Sequence, residues 1–173
     1  MIRHGLLVGS ALLVLTAPAL AESDPAARFR DRHGYFELVP PEGWARRIHP
    51  DEGSKVEFFV ASSFGGRSRA SLIIESRPAD PLPDPASAAE ERAARFRQMG
   101  SQDAAIQTVD VAGARGVQVE AWLPRQNLRT RILFFNRHGR ACVVTFSAAV
   151  QDFGQFVDAA EAALATFRSL PPP

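Results

Sequence analysis

Apolar runs with strand-like spacing recur along most of the chain and predict a fold built mainly of short β-strands. These runs occupy residues 35–39, 55–62, 70–76, 105–111, 116–123, 128–135 and 141–148. Each is rich in β-branched, aromatic or other apolar residues, and turn-forming residues bound most of them. Because several neighbouring runs are joined by short linkers, we expect antiparallel hairpins.

Two of the runs contain several apolar residues in succession, at 132–135 and 141–144. Successive side chains of a strand point to opposite faces of the sheet. A strand that is apolar at every position must therefore be covered on both faces. The pattern predicts that these strands lie between two layers.

The first covering helix is predicted after a proline-rich stretch. Ser87 and Glu90 have the spacing of a capping box, in which Ser87 is the N-cap. Apolar residues then recur at helical spacing through Ala93 and Phe96, and Gly100 is a suitable stop.

The second helix is predicted near the C-terminus. Asp152 is its expected N-cap, with Gln155 three residues later. One apolar stripe follows, made of Phe153, Phe156, Val157, Ala160, Leu164 and Phe167. The sequence thus predicts an α+β fold, a largely antiparallel sheet with amphipathic helices packed on its faces. We assign residues 34–170 to one domain and 22–33 to a flexible lead-in.

The N-terminus has the layout of a secretory signal peptide. A short basic segment precedes the apolar run 5–16, and a small-residue motif ends at Ala21. The run is shorter than the ~20 residues that a spanning helix needs. We expect cleavage after Ala21 and a periplasmic or secreted protein that is soluble after cleavage; the alternative is an uncleaved anchor.

The charge balance argues against nucleic acid as a partner. The full chain has 20 basic and 19 acidic residues. Removing the signal removes Arg3 and no acid, which leaves the mature chain neutral. A neutral domain has no global field that would hold a polyanion.

The segment after the first predicted strand carries a resemblance to a known family. Phe36, Leu38, Pro41, Gly43 and Trp44 form an F-x-L-x-x-P-x-G-W opening. With the order of elements over residues 35–170, this opening resembles the PsbP-like superfamily, which includes PsbP, the Ran-binding Mog proteins and bacterial DcrB-type proteins.

The resemblance implies a PsbP-like α/β sandwich and leaves the function open, because its members bind unlike things. It also implies that the turn bends the chain and that Trp44 packs beside the core, rather than serving as a ligand platform. Trp122 has the same two interpretations, and the structural one is favoured. The chain lacks the lipobox cysteine of DcrB-type lipoproteins.

Few side chains have the spacing of a reactive or metal-binding site. Cys142 lies in an apolar run, so we expect an unreactive buried thiol. His49, Asp51 and Glu52 form the most suggestive cluster, because imidazole and carboxylates can bind Zn²⁺ or Mn²⁺. An ordinary exposed turn is the favoured interpretation, and we assign no metal, cofactor or catalytic residue.

Three functions remain open from the sequence. The leading one is an exported, non-catalytic accessory protein of the bacterial cell envelope that binds a protein or envelope component through loops or an open sheet face. The alternative is a small-molecule or lipid carrier whose pocket would be lined by Phe58, Phe59, Phe134 and Phe135. A hydrolase ranks last, because no nucleophile motif is present.

Overall fold

The structure is a computed structural model that describes residues 28–49, 54–61 and 68–171. The strands in this part of the chain are β1 (Phe29–Arg30), β2 (Phe36–Leu38), β3 (Ala45–Ile48), β4 (Ser54–Val60), β5 (Ala70–Pro78), β6 (Ala105–Val111), β7 (Ala114–Leu123), β8 (Leu128–Arg137), β9 (Arg140–Ala149) and β10 (Arg168–Ser169). The helices are α1 (Pro85–Gln98), which follows β5, a 3-10 turn (Pro124–Gln126) and α2 (Val150–Ala165), which follows β9. The predicted strands are confirmed, with ends that differ by a few residues.

The strands form two sheets. The larger has seven described strands in the order β3-β4-β5-β9-β8-β7-β6, and every neighbouring pair is antiparallel. The smaller consists of β1, β2 and β10, with β2 in the centre. The α+β class with an antiparallel sheet is therefore confirmed.

One face of the large sheet, which we call the α2 face, carries α2 and the small sheet. Its core joins rings from several elements: Phe36 stacks on Phe167 with centroids 5.5 Å apart, and Phe135 meets Phe167 edge-on at 5.7 Å. Phe29 of the small sheet meets Phe58 of β4 edge-on at 5.5 Å. These contacts hold the small sheet against the large one.

The opposite face, which we call the α1 face, carries α1 over β6, β7 and β8. The buried side of α1 is formed by Ala89, Ala93 and Phe96, as the helical spacing predicted. On β8, Ile132 and Phe134 belong to this core, whereas Leu133 and Phe135 belong to the core of the α2 face. The prediction that this strand is covered on both faces is thus confirmed.

The predicted cap of the first helix is wrong. The N-cap is Asp84, whose carboxylate accepts from the backbone N–H groups of Ala86 at 3.4 Å and Ser87 at 3.0 Å. The Ser87 hydroxyl donates to the same carboxylate at 2.8 Å. Pro85, with its fixed φ and no N–H to lose, takes the first helical position, so the helix begins earlier than the capping-box pattern suggested.

The predicted cap of the second helix is also wrong. Ala149, the last residue of β9, is the N-cap of α2 and makes no side-chain capping bond. Asp152 lies in the first turn and accepts from Arg69, with Oδ1 2.9 Å from Nη2 and Oδ2 3.3 Å from Nε. The strand runs directly into the helix, so no loop residue is left to cap it.

The predicted flexible lead-in also differs from the structure where it is described. Phe29 and Arg30 form β1, and Phe29 is buried in the core. Asp31 then accepts from the N–H groups of His33 and Tyr35 and from the Ser54 hydroxyl, which fixes the turn into β2. The packed domain therefore extends beyond residue 34 toward the N-terminus.

The turn at residues 40–43 behaves as predicted. Gly43 has φ of 73°, and the Trp44 N–H donates to the Pro41 carbonyl at 3.3 Å. The Trp44 ring meets Phe156 of α2 edge-on at 5.9 Å and packs against the core. The structural role expected of Trp44 is confirmed.

The signal peptide predicted for residues 1–21 lies outside the described residues. In the described ranges, no helix combines the length and apolar character needed to cross a membrane.

Candidate functional site

The two helices leave different parts of the large sheet uncovered. On the α2 face, α2 packs mainly on β9, β5 and β8, whereas β6 and β7 lie beyond it. On β7, Val119 and Ala121 point into the core under α1, so the alternate residues Gln118, Glu120 and Trp122 point to the α2 face. α2 does not cover this strip of polar side chains, in which Trp122 is exposed, Glu120 is half-buried and Gln118 is buried. The strip is the candidate site.

Two arginines of β8 are held beside the strip by one carboxylate. Glu120 pairs across the strands with Arg131, and one of its oxygens accepts from Arg131 at 2.8 Å. Its other oxygen accepts from Arg129, at 2.8 Å from Nε and 2.6 Å from Nη2. Arg131 also donates to Glu161 of α2. Charge-assisted bonds of this kind fix planar groups in defined positions.

The network also contacts Phe153 in the first turn of α2. The guanidinium carbons of Arg129 and Arg131 lie 5.3 Å and 5.9 Å from the centre of the Phe153 ring. Burial lowers the pKa of Arg131, but its hydrogen bonds to Glu120 and Glu161 outweigh that effect and raise the pKa above its ordinary value. Arg131 therefore keeps its charge at neutral pH and joins Glu120 of β7 to Glu161 of α2.

A groove of about 310 Å³ lies along the outer part of this strip. Its lining residues are Asp103, Ala105, Ile106, Gln107, Gln118, Glu120 and Arg129. One end is fixed by Asp103, whose carboxylate accepts from the backbone N–H of Trp122 at 2.9 Å and from the Ser101 hydroxyl at 3.0 Å. The lining can both donate and accept hydrogen bonds.

Trp122 is a large apolar side chain of the strip that is exposed to solvent. It pairs across the strands with Arg129, and it is 46% exposed. Its indole makes no hydrogen bond or ring contact with the part of the chain that the structure describes. The structural role favoured for Trp122 from the sequence is wrong, because the residue lies at the end of β7 on the face that α2 leaves open. We use the name "Trp122 surface" for Trp122, Glu120, Arg129 and the groove.

The predicted inert cysteine is found where it was expected. Cys142 is 2% exposed, and burial raises the pKa of its thiol. Arg140, two residues earlier, is also buried. It donates to the Ser76 hydroxyl at 2.9 Å, and its guanidinium carbon lies 3.4 Å from the centre of the Tyr35 ring.

The suggested metal cluster is not tested as a whole. His49 lies beside Glu57 of β4, with Nε2 3.6 Å from Oε2, whereas Asp51 and Glu52 are outside the described residues. Among the described residues, no group of three or more metal-ligating side chains comes together. Another histidine, His138, is exposed on the turn between β8 and β9.

The four phenylalanines proposed to line a carrier pocket do not share one. Phe58 and Phe135 are buried in the core of the α2 face, and Phe134 is buried on the α1 face. Phe59 is partly buried under Arg47, whose guanidinium carbon lies 4.8 Å from the ring centre. The four rings therefore do not form the pocket that the carrier hypothesis requires.

Reasoning from the sequence missed Glu120, Arg129 and Arg131. The signal was present as polar residues two apart on consecutive strands, in V-Q-V-E-A-W and L-R-T-R-I. Such spacing places the side chains of each strand on one face. Recognising the site also required the register that pairs Glu120 with Arg131 and the knowledge that α2 packs on β9, β5 and β8 rather than on β7.

Comparison with known proteins supports the fold. No protein-family model and no curated protein matches the sequence. Solved structures do match in three dimensions. The solution structure of cyanobacterial PsbP from Synechocystis has a TM-score of 0.55 and 14% identity, and the match covers 83% of this chain and 92% of that one.

Two further matches are bacterial proteins. LpqN of Mycobacterium tuberculosis, described as involved in cell envelope biogenesis, has a TM-score of 0.56 and 14% identity over 87% of this chain and 88% of its own. A Pseudomonas aeruginosa protein of unknown function has a TM-score of 0.51 and 18% identity over 85% and 97%. The chain has the PsbP-like fold, as its sequence predicted, and similarities at these identities extend to the fold alone.

Proposed function

We propose that the chain is an exported, non-catalytic accessory protein of the bacterial cell envelope, and that it binds a partner protein through the Trp122 surface. The observation that carries this proposal is the 46% exposed indole of Trp122 beside Arg129 on an uncovered sheet face. Trp and Arg are the residues most enriched among those that dominate the energy of protein interfaces.

The surroundings of Trp122 favour a binding role. Glu120 holds Arg129 and Arg131 in place before any partner arrives, so little side-chain entropy is lost when a complex forms. The groove beside them supplies amide, carboxylate and guanidinium groups for hydrogen bonds. An aromatic anchor next to satisfied polar groups matches the usual composition of an interface.

The setting in the envelope rests on two other observations. Residues 1–21 have the layout of a signal peptide. The structural neighbour LpqN is described as involved in cell envelope biogenesis, and we extend that setting to this chain.

Site-specific photo-crosslinking in the native host tests the proposal. A photoreactive amino acid replaces Gln107, an exposed residue that lines the groove, or Glu90, an exposed residue of α1 on the opposite face. We expect a defined adduct from position 107 and none from position 90. The same adduct is expected to disappear in Trp122→Ala and to persist in Ile48→Ala, since Ile48 is 45% exposed on the far edge of the sheet.

Two results would overturn the proposal. One is an adduct that forms equally from positions 107 and 90, which would indicate indiscriminate contact. The other is an adduct from position 107 that Trp122→Ala leaves unchanged. If native mass spectrometry of the exported protein instead shows a retained small molecule, the carrier function replaces the one proposed.

A further inference from the structure

The two edge strands of the large sheet differ in how well they are protected against pairing with a strand of another chain. β3 has four residues, two of which are arginines, whereas β6 has seven residues and one charge, Asp110. Proteins usually protect sheet edges with short strands and charged side chains, because an open edge can pair with another chain. β3 follows that rule, and β6 does not.

The hairpin register shows which backbone groups of β6 are open. Val111 pairs with Ala114 around a two-residue turn, Ala112-Gly113, in which both φ angles are positive, at 50° and 71°. In such a turn the flanking pair exchanges hydrogen bonds, and bonded and non-bonded pairs then alternate along the strands.

Three residues of β6 consequently direct their N–H and C=O groups away from β7: Ile106, Thr108 and Asp110. These backbone groups make no hydrogen bond to the rest of the described chain. They form a regular row with the spacing that a neighbouring strand requires.

The open edge is continuous with the groove. Ala105, Ile106 and Gln107 belong to β6 and also line the groove. A strand added to β6 would therefore direct every second side chain over the groove, toward Glu120 and Arg129. Main-chain pairing would supply affinity, and the groove would select side chains.

The size of the edge favours a peptide over a second copy of this chain. Stable dimers bury roughly 1,200 Å² or more, with about 20–30 residues on each side. A pairing of β6 with β6 of another copy would engage one strand of seven residues from each. An extended segment can follow the edge and also fill the groove, which two rigid domains meeting edge to edge cannot do.

We propose that β6 accepts an extended polypeptide segment of the partner as an added antiparallel or parallel strand. This inference rests on the proposed function, because it names how the partner of the Trp122 surface binds. It predicts a segment without proline at the pairing positions, since proline cannot donate to a ladder.

A backbone variant tests the pairing directly. Thr108→Pro removes an outward N–H at the centre of β6, and an edge strand tolerates proline where the N–H faces solvent. Thr108→Ala is the matched control, because it shortens the side chain and keeps the donor. Circular dichroism and the thermal midpoint establish that both variants are folded.

The probe is a phage-displayed library of random peptides selected on the wild-type protein. We expect selected peptides to bind Thr108→Pro about tenfold more weakly or worse, because paired hydrogen bonds are lost, and to bind Thr108→Ala nearly as well as wild type. Hydrogen exchange should slow at the amides of Ile106, Thr108 and Asp110 on binding. The inward amides of Gln107 and Val109 should exchange slowly with or without peptide.

The outcomes separate this inference from the proposed function. Peptides that lose affinity for Trp122→Ala but not for Thr108→Pro would overturn strand addition and leave the Trp122 surface standing. Peptides sensitive to Thr108→Pro alone would support strand addition and count against the Trp122 surface. A failure to select any peptide, or a dimer in sedimentation that Thr108→Pro abolishes, would overturn the peptide as the occupant.

Discussion

Gly116 marks the point on β7 where the packed core of the α2 face ends and the open strip begins. A methyl group at this position would lie 2.9 Å from Leu133 Cδ1, 3.1 Å from the Phe134 carbonyl oxygen and 3.3 Å from Phe135 Cβ. Carbon atoms prefer separations of about 3.5–4.0 Å, so the contacts with Leu133 and Phe135 are too close. The contact with the carbonyl oxygen is also tighter than an ordinary one. Leu133 and Phe135 are both buried, and the Phe134 oxygen belongs to the backbone. None of the three atoms can therefore move far to make room for the methyl group.

The expected effect of Gly116→Ala is a loss of stability. Overpacking a well-filled site costs about 1–3 kcal/mol. The reduced entropy of the unfolded chain offsets about 0.4–1 kcal/mol of that cost. The net free energy of unfolding should therefore fall by roughly 0.5–2 kcal/mol.

Gly154 provides a matched control for the same chemical change. It lies in α2 on an exposed position, and a methyl group there would meet nothing within 4 Å. Gly154→Ala should raise the stability by about 0.5–1 kcal/mol, because glycine inside a helix costs that much relative to alanine.

Urea denaturation of the three proteins measures both effects on one scale. A Gly116→Ala variant as stable as the wild type, or a Gly154→Ala variant less stable than Gly116→Ala, would contradict the close packing at Gly116.

Three further predictions follow from the caps, the ion pair and the thiol. Asp84→Ala should lower the thermal midpoint more than Ser87→Ala, because Asp84 accepts both capping N–H groups; equal effects would contradict the observed cap. The hydrogen bond from Arg69, together with the charge of Arg69, holds the pKa of Asp152 below its ordinary value of 3.8. The ion pair therefore stabilises the fold above about pH 4, and this stabilisation is lost as the pH falls through the lowered pKa of Asp152. Asp152→Asn should accordingly be less stable than wild type at pH 6, with a difference that shrinks below pH 4; a constant difference would contradict the pairing. Because burial raises the pKa of Cys142, a thiol reagent at neutral pH should react with it only after urea unfolds the protein, and rapid reaction of the native protein would show that the thiol is accessible.

The large sheet and its two layers were predictable because they depend on local periodicity. The run 132–135 is apolar at every position, and no single covering layer can bury both faces of such a strand. The helices were equally clear from residues such as Ala93, Phe96 and Ala160, which return to one face every three or four positions.

The helix starts were mispredicted because several residues near each start can cap. Ser87 and Asp84 both precede the apolar stripe of α1, and only the geometry set by Pro85 decides between them. The local pattern predicts Asp152 as an N-cap, but its carboxylate accepts from Arg69, which is distant in sequence. A local pattern cannot predict a contact between residues so far apart.

The small sheet and the candidate site depend on tertiary contacts. β1 and β10 have two residues each, too few to show a period, and Phe29 is buried only because the small sheet packs on β4. The Trp122 surface exists because α2 packs on β9, β5 and β8 and leaves β7 beyond it, which no feature of β7 itself reveals.

The two tryptophans of the chain allow the most direct test of the proposed function. Trp44 packs against Phe156, and Trp122 is exposed on the open strip. Protein labelled with 5-fluorotryptophan should give one fluorine resonance for each, assigned with Trp122→Phe. On titration with envelope extract of the native bacterium, we predict that the Trp122 resonance shifts or broadens while that of Trp44 stays unchanged. An unchanged Trp122 resonance, or a change confined to Trp44, would contradict the assignment of the partner site.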